Sequence, residues 1–321
     1  MVKIALAPAT SQLSKEILDS LVATGKHEII GLVRKDPSTL PQFPGVTWVQ
    51  TDFQDEAELV KILTGVHTVL CFVAVHLDPG NESQKRLIDA SIKAGVSRFA
   101  PSEWSSGVKL ESFPDTLSWY AGKLEVKNYL ESINKDKKVI EFCRFQPGGF
   151  LNYLAHPHSI SKHITTIPLT INIEKRHALL EEGSLDAHMT FTTTKDIANV
   201  VARAVEYEGE WPKVGGIQGN RHTLQELVEI GEKVRGTPFT KEWLKSEDLD
   251  AGLLKTENYT RLDLPSTPPD QIDAFSKVAA IGVLRAISRG VWDVSDEWNK
   301  IFPDYEFAKT DEILQGLWKG Q

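Results

Sequence analysis

The sequence predicts a doubly wound α/β fold, in which a parallel sheet carries helices on both faces and a smaller α+β domain follows. Short apolar runs alternate with stretches of helical periodicity from Val2 to about Phe145. That alternation is typical of right-handed crossovers that build a parallel sheet. Beyond Phe150 the pattern loosens until about Met189, which indicates a separate, smaller domain. We therefore expect a sheet domain over 1–150, with residues 190–220 returning to it, and a second domain over 151–321.

The individual elements follow from apolar spacing, capping residues and turn residues. Strands are predicted at 2–7, 27–33, 46–50, 68–74, 98–100 and 139–145. Helices are predicted at about 12–24, 56–63, 82–94, 114–134, 196–206 and 223–234. The last of these begins with a Thr-Leu-Gln-Glu capping box. From Ser246 we expect a helical tail that is interrupted by the turn-rich segment Leu264–Pro269.

Composition and charge restrict the class of protein. The chain has 321 residues, 41% hydrophobic and 25% charged, with a formal net charge of -8. This acidic balance disfavours general binding to nucleic acid or to anionic membranes. No apolar run approaches the about 18 residues that a membrane span requires, and no signal-peptide pattern opens the sequence, so we expect a cytoplasmic protein. Cys71 and Cys143 lie in apolar strands and are predicted to be buried free thiols.

The segment Pro8–Ser14 lies between the first strand and the first helix, where dinucleotide-binding proteins carry a glycine-rich phosphate loop. The three glycine positions are here occupied by Pro8, Ser11 and Ser14. Backbone amides at a helix N-terminus attract anions whatever their side chains are. In this segment those amides belong to Thr10, Ser11, Gln12 and Leu13. An alternative interpretation is that Thr10 or Ser11 serves only as a helix N-cap.

Arg34 and Lys35 follow the second strand directly. At this place a ribose 2′-hydroxyl is bound by an acidic residue, whereas a 2′-phosphate is bound by arginine, which holds it with two hydrogen bonds. The pair favours NADP over NAD. A solvated Arg-Lys pair at the end of a strand is the alternative.

Several segments together resemble the NmrA-like and isoflavone-reductase-like branch of the atypical short-chain dehydrogenases, and in particular its fungal members. The segments that carry the resemblance are Lys3–Thr10, Leu32–Lys35, Leu87–Ala90, Ala94–Trp104, Lys123 in its helix, and Phe145–Tyr153. The resemblance implies a Rossmann domain that binds NADPH, a smaller substrate domain, and a lysine on a helix as general acid/base.

Lys123 matches that lysine, and Tyr120 precedes it by three residues, so both are expected on one helix face. The tyrosine–lysine spacing of four that marks the short-chain dehydrogenases is absent, because position 124 is Leu. From the residues alone, Lys123 is equally a solvated helix lysine and Tyr120 a tyrosine at the edge of the core.

The resemblance also implies which other residues line the site. Residues beside the adenine and the nicotinamide ribose would be Cys71, Phe72 and Val73, for which core packing is the alternative. Residues near the nicotinamide carboxamide would be Gln146, Pro147, Gly148 and Phe150. Residues facing the substrate would be Ser102, Trp104, Asn152 and Tyr153.

The leading functional prediction is an NADPH-dependent reductase of a small aromatic or polyketide-type metabolite, working as a monomer or homodimer. Two alternatives remain open. One is a non-redox enzyme on the same fold, such as an isomerase, dehydratase or lyase. The other is an NADP-sensing regulatory protein. No metal is expected, since His156-Pro157-His158 has no accompanying ligand cluster.

Overall fold

A parallel six-stranded sheet forms the centre of the N-terminal part of the chain in the computed structural model, which describes residues 1–262 and 269–319. Its strands are β1 (Lys3–Ala7), β2 (Glu28–Val33), β3 (Val46–Gln50), β4 (Thr68–Cys71), β5 (Arg98–Ala100) and β6 (Glu141–Phe142). They lie in the order β3-β2-β1-β4-β5-β6, and every neighbouring pair is parallel. The prediction of a doubly wound sheet is confirmed. The order reverses between β1 and β4, which is where sheets of this type bind ligands.

The remaining strands are shorter and lie later in the chain. They are β7 (Arg144–Gln146), β8 (Gly149–Phe150), β9 (Ile171–Asn172), β10 (His177–Glu181), β11 (His188–Thr192), β12 (Val214–Gly216), β13 (Asn220–Thr223) and β14 (Thr240–Leu244). They form two three-stranded sheets, β14-β10-β9 and β13-β11-β8, and the pair β12-β7.

Helices connect the strands and make up most of the C-terminal part. Those preceding β12 are α1 (Gln12–Thr24), α2 (Glu56–Leu63), α3 (Glu82–Lys93), α4 (Ala121–Ile133), α5 (Leu151–Leu154) and α6 (Thr194–Glu206). Those following β13 are α7 (Leu224–Arg235), α8 (Ser246–Asp250), α9 (Ile272–Ser288), α10 (Glu297–Ile301) and α11 (Thr310–Trp318). The predicted capping box is present, because Thr223 and Glu226 satisfy each other's backbone amides at the start of α7.

The chain divides into two units. The first comprises Met1–Trp104, Trp119–Gln146 and Thr194–Gly215, and the second the other described residues. In the first unit the core lies between the sheet and its helices, with Leu32, Val69 and Phe99 from strands packed in one cluster with Leu59 and Leu87 from helices. Both cysteines are buried free thiols, as predicted.

Two predicted elements differ from the structure. The helix expected from Pro114 begins at Ala121, because the N–H and the hydroxyl of Thr116 both donate to Phe113 O and close a turn. The strand expected over 139–145 divides at Cys143: the Cys143 N–H donates to Phe99 O, whereas the Arg144 N–H donates to Lys213 O. The strand changes neighbours at that point. Residues 264–268 of the predicted turn-rich segment lie outside the residues that the structure describes.

Candidate active site

The turn between β1 and α1 is held by short hydrogen bonds of its own. Ser11 is the N-cap of α1, and its Oγ accepts from the Ser14 N–H at 3.1 Å. In return the buried Ser14 Oγ donates to Ser11 O at 2.9 Å. Ser11 is therefore a helix N-cap, and the two serines at glycine positions satisfy each other, while the role of this turn toward a cofactor stays a prediction. The N–H groups of the first turn of α1, which include that of Leu13, lie at the end of the helix where an α-helix has no backbone acceptors of its own.

The same turn is also fixed against β2. The Ala9 N–H donates to Leu32 O at 2.9 Å, and Ala9 is buried. Gly31 makes this approach feasible, since a Cβ there would lie 3.3 Å from the Ala9 Cβ and 2.4 Å from the Trp48 ring. The missing side chain of Gly31 thus leaves room chiefly for the Trp48 ring and also for the Ala9 methyl group.

Arg34 and Lys35 lie directly after β2 and are exposed. The Arg34 guanidinium is 5.6 Å from the centroid of the Phe53 ring, which supports it from one side. The nearest acidic residue in sequence is Asp36, and its carboxylate accepts a hydrogen bond from the Ser38 N–H. This hydrogen bond lowers the pKa of Asp36. The end of β2 therefore presents cationic side chains beside a turn that is tied to the same strand.

Lys123 lies near the start of α4 and is 5% exposed. Its Nζ donates to the backbone carbonyl of Glu103 at 2.5 Å and lies 3.6 Å from the centroid of the Tyr120 ring. The two predicted catalytic residues thus lie together, and it is the ring face of Tyr120 that contacts the ammonium. A buried ammonium with these two neighbours is not the solvated helix lysine of the alternative interpretation.

Trp104 is a stacked and hydrogen-bonded side chain. Its ring is stacked against Phe72, at a centroid distance of 4.8 Å, and against Phe145, at 5.3 Å, and both pairs are nearly parallel. Its indole N–H donates to Cys71 O at 2.7 Å. The loop before it is held as well, because the Ser102 N–H donates to Gln84 Oε1.

Sequence reasoning missed Gln84 and Asp78. Asp78 accepts from the backbone N–H groups of Ser83 and Gln84, so it caps the first turn of α3 and places the Gln84 side chain under the loop. The available signal was the polar Gln84 on the inward face of α3, one turn before Leu87 and Ile88.

The other predicted cofactor residues of the first unit lie at strand ends. Cys71, Phe72 and Val73 are buried at the end of β4, and burial raises the pKa of the Cys71 thiol to about 12. Gln146 ends β7 and is 1% exposed. Its Oε1 has no hydrogen-bond partner among residues 1–262 and 269–319. A bound molecule is able to donate the hydrogen bond that this buried amide oxygen lacks.

The remaining predicted residues belong to the second unit. The Pro147 carbonyl accepts from Thr192 Oγ1, and the Gly148 N–H donates to Ser105 O. Gly148 has a φ of 75°, and a Cβ there would lie 2.3 Å from the Thr190 carbonyl oxygen. In the same unit the Phe150 and Tyr153 rings lie 5.6 Å apart, and Asn152 is buried. Their roles toward cofactor and substrate stay predictions.

The described part of the chain contains no group of three or more histidine, cysteine or acidic side chains placed to hold a metal ion. His156 contacts Thr166 Oγ1, while the His158 ring packs edge-on against Trp318. Within the same residues, no helix is both long and apolar enough to cross a membrane.

Residues 2–268 match the model of the NmrA-like family. The chain belongs to this family, and the predicted family is confirmed. Its curated relatives include Oxidoreductase BOA1 of Botryotinia fuckeliana, which is 26% identical over 239 residues, 74% of this chain and 77% of that protein. The predicted enzyme class, an oxidoreductase, agrees with the name of this relative.

Solved structures of similar fold include isoflavone reductase, with a TM-score of 0.68, 18% identity and 98% of both chains covered. They also include the NADPH-dependent quinone oxidoreductase QOR2 from Escherichia coli in complex with NADPH. That structure has a TM-score of 0.67 and 20% identity, and covers 98% of this chain and 100% of its own. At these identities the likeness is one of fold, and it confirms the predicted Rossmann-type architecture.

Proposed function

We propose that this NmrA-like protein is an NADPH-dependent reductase of a small aromatic or polyketide-type metabolite, and that Lys123 is its general acid. The observation that carries the proposal is the buried Lys123 ammonium, held between the Glu103 carbonyl and the Tyr120 ring. It lies in the same unit as the N-terminus of α1, and the turn before that helix is hydrogen-bonded to β2, the strand that Arg34 follows. A reductase needs both features, a proton donor and a place for the hydride donor.

The residues present fit NADPH. The first-turn amides of α1 would bind the pyrophosphate, and Arg34 would bind the 2′-phosphate with two hydrogen bonds. The buried Gln146 Oε1, which lacks a donor among the described residues, would accept from the carboxamide of the nicotinamide. NADPH, when bound, supplies the hydride that the reduction requires.

The chain's own residues supply the proton and its environment. As hydride reaches the carbonyl carbon of the substrate, negative charge develops on the carbonyl oxygen, and Lys123 Nζ gives that oxygen a proton. The Glu103 carbonyl engages one N–H of the ammonium and so orients the others. The Tyr120 ring face stabilises the positive charge without competing for a proton. Lys123 then regains a proton from solvent.

Titration with NADPH and with NADH, followed by turnover, tests the proposal. Calorimetry is expected to give an affinity for NADPH at least about tenfold higher than for NADH, since a charge-assisted arginine–phosphate contact is worth about 1.5–3 kcal/mol. NADPH deuterated at its transferable position is then offered with para-benzoquinone and with aromatic ketones. Deuterium is expected in the reduced product of a ketone.

The two alternative functions correspond to other outcomes of the same experiment. NADPH binding without reduction of any probe would contradict the reductase and favour an NADP-sensing protein. Absence of NADPH binding at millimolar concentration would contradict both and favour a non-redox enzyme.

A further inference from the structure

Trp104 has a backbone conformation that is unusual for so large a residue. Its φ is 43°, in the left-handed region that non-glycine residues seldom adopt. Such a conformation persists only where surrounding contacts fix it, and it is often found at functional sites. With 7% of its surface exposed, Trp104 has little area to offer a substrate. Its conformation therefore requires another explanation than substrate contact.

The contacts that fix Trp104 come from two segments of the first unit, the end of β4 and β7. The ring is stacked against Phe72 at an interplanar angle of 11° and against Phe145 at 7°. The indole N–H donates to Cys71 O at 2.7 Å, which fixes the rotation of the ring within the stack. Because two stacked rings and one hydrogen bond engage the side chain, its orientation is fixed relative to the end of β4 and to β7.

The fixed side chain determines the direction of one peptide group. The torsion φ of Trp104 is the rotation about its N–Cα bond, and the nitrogen of that bond belongs to the peptide that links Glu103 to Trp104. Because that peptide is planar, fixing φ also fixes the direction of the Glu103 carbonyl. That carbonyl is the acceptor of Lys123 Nζ. From the other side, the Glu103 N–H donates to Pro101 O, and the Ser102 N–H donates to Gln84 Oε1. The acceptor of Lys123 is thus held from both directions along the chain.

We propose that Trp104 is a positioning residue for Lys123: its stacked and hydrogen-bonded ring holds the Glu103 carbonyl in the direction that orients the ammonium. This inference rests on the proposed function, in which Lys123 is the general acid. It assigns to Trp104 a role that acts through a backbone carbonyl, in place of the predicted contact with substrate.

The test compares Trp104→Phe, which keeps a ring in the stack but removes the indole N–H, with Trp104→Ala, which removes the stack as well. Trp211→Phe is the matched control. Trp211 is also buried, also contacts Phe145, and also donates its indole N–H to a backbone carbonyl, that of Ala204 at 2.8 Å. It differs in having no peptide link to Glu103. Thermal unfolding of each variant identifies those that are folded.

The first readout needs no substrate. Crystal structures of the folded Trp104 variants are expected to lose the contact between Lys123 Nζ and Glu103 O, while Trp211→Phe retains it. If the contact persists in both Trp104 variants, or is lost in Trp211→Phe as well, the proposal is wrong.

The second readout is turnover with whichever para-benzoquinone or aromatic ketone probe the wild type reduces. Trp104→Phe is expected to lower kcat about tenfold to hundredfold, since small misplacements of a catalytic group have effects of this size, with KM for NADPH unchanged within about twofold. In a Lys123→Met background the same substitution is expected to have little further effect on kcat. An equal loss in both backgrounds would mean a merely structural role.

The outcomes separate the two proposals. If Lys123→Met leaves kcat unchanged, or if no probe is reduced, the proposed function fails, and the crystal structures alone decide whether Trp104 positions the lysine. If Lys123 is essential but the Trp104 effect is additive, the proposed function stands and the positioning role is excluded.

Discussion

The turn at Ser11 and the environment of Lys123 are two parts of one unit that are built in different ways. The turn is held by two short serine side chains and backbone groups, and the groups proposed to bind the cofactor are backbone amides. The environment of Lys123 includes large buried side chains, and the group proposed to do the chemistry is one ammonium.

The difference indicates which substitutions each part tolerates. Where backbone amides bind the ligand, the side chains are free to change as long as the turn keeps its shape. Around Lys123 the group proposed to transfer the proton is itself a side chain, and its acceptor is proposed to be placed by Trp104, so substitutions there are expected to act on the reaction directly. The following predictions test this contrast.

The largest effect is expected for Lys123→Met. Loss of a general acid typically lowers turnover by about 10²–10⁴-fold, so kcat should fall by that factor, while the affinity for NADPH measured by calorimetry changes less than about threefold. The matched control is Lys127→Met, one turn further along α4, whose ammonium lies 3.4 Å from Glu131. Equal losses in the two variants would show that helix charge, and not the position of Lys123, is what matters.

An intermediate effect is expected for Arg34→Ala. Removal of a bidentate contact with a 2′-phosphate should weaken NADPH binding about tenfold to hundredfold, in line with about 1.5–3 kcal/mol for hydrogen bonds to charged groups. NADH binding should be unchanged. Lys26→Ala, before the other end of β2, is the control, because Lys26 pairs with Glu206 at 2.9 Å. A parallel loss of NADH affinity would contradict recognition of the 2′-phosphate.

The smallest effect is expected at Ser11. Ser11→Ala removes the N-cap and should lower the free energy of unfolding by about 1 kcal/mol, whereas Ser11→Gly should lower it by only a few tenths. Denaturant unfolding measures both. Affinity for NADPH should stay within about twofold in each variant, since the amides and not the hydroxyl are proposed to bind the phosphates. A large loss of affinity in Ser11→Ala without loss of stability would instead mean that the hydroxyl contacts the cofactor.

The sequence predicted the parallel sheet and most helices because their signals are local. The strands β1 to β5 are short and mainly apolar. The start of α7 is indicated by a capping box of four consecutive residues. The start of α4 was predicted too early, because the turn closed by Thr116 and Phe113 depends on hydrogen bonds that leave no periodic pattern.

For the candidate site, Lys123 was predicted from a resemblance to a family and from nothing in its own helix. Its acceptor was not predicted at all, because every residue has a backbone carbonyl, and only the fold determines that Glu103 directs its carbonyl to Lys123. The left-handed conformation of Trp104 likewise has no signal in the sequence, since tryptophan has no preference for it.

Gly31 lies beside Ala9 and has no side chain, and this feature bears on how further chains of this type are to be recognised. A search pattern that demands three glycines between β1 and α1 rejects this sequence at every one of the three positions. A pattern that instead pairs a small residue in the turn with a glycine about twenty residues later, on the adjoining strand, accepts it, because Ala9 and Gly31 occupy those positions. Sequences that lack the glycines of the phosphate loop are therefore worth searching for a glycine on the strand next to that loop.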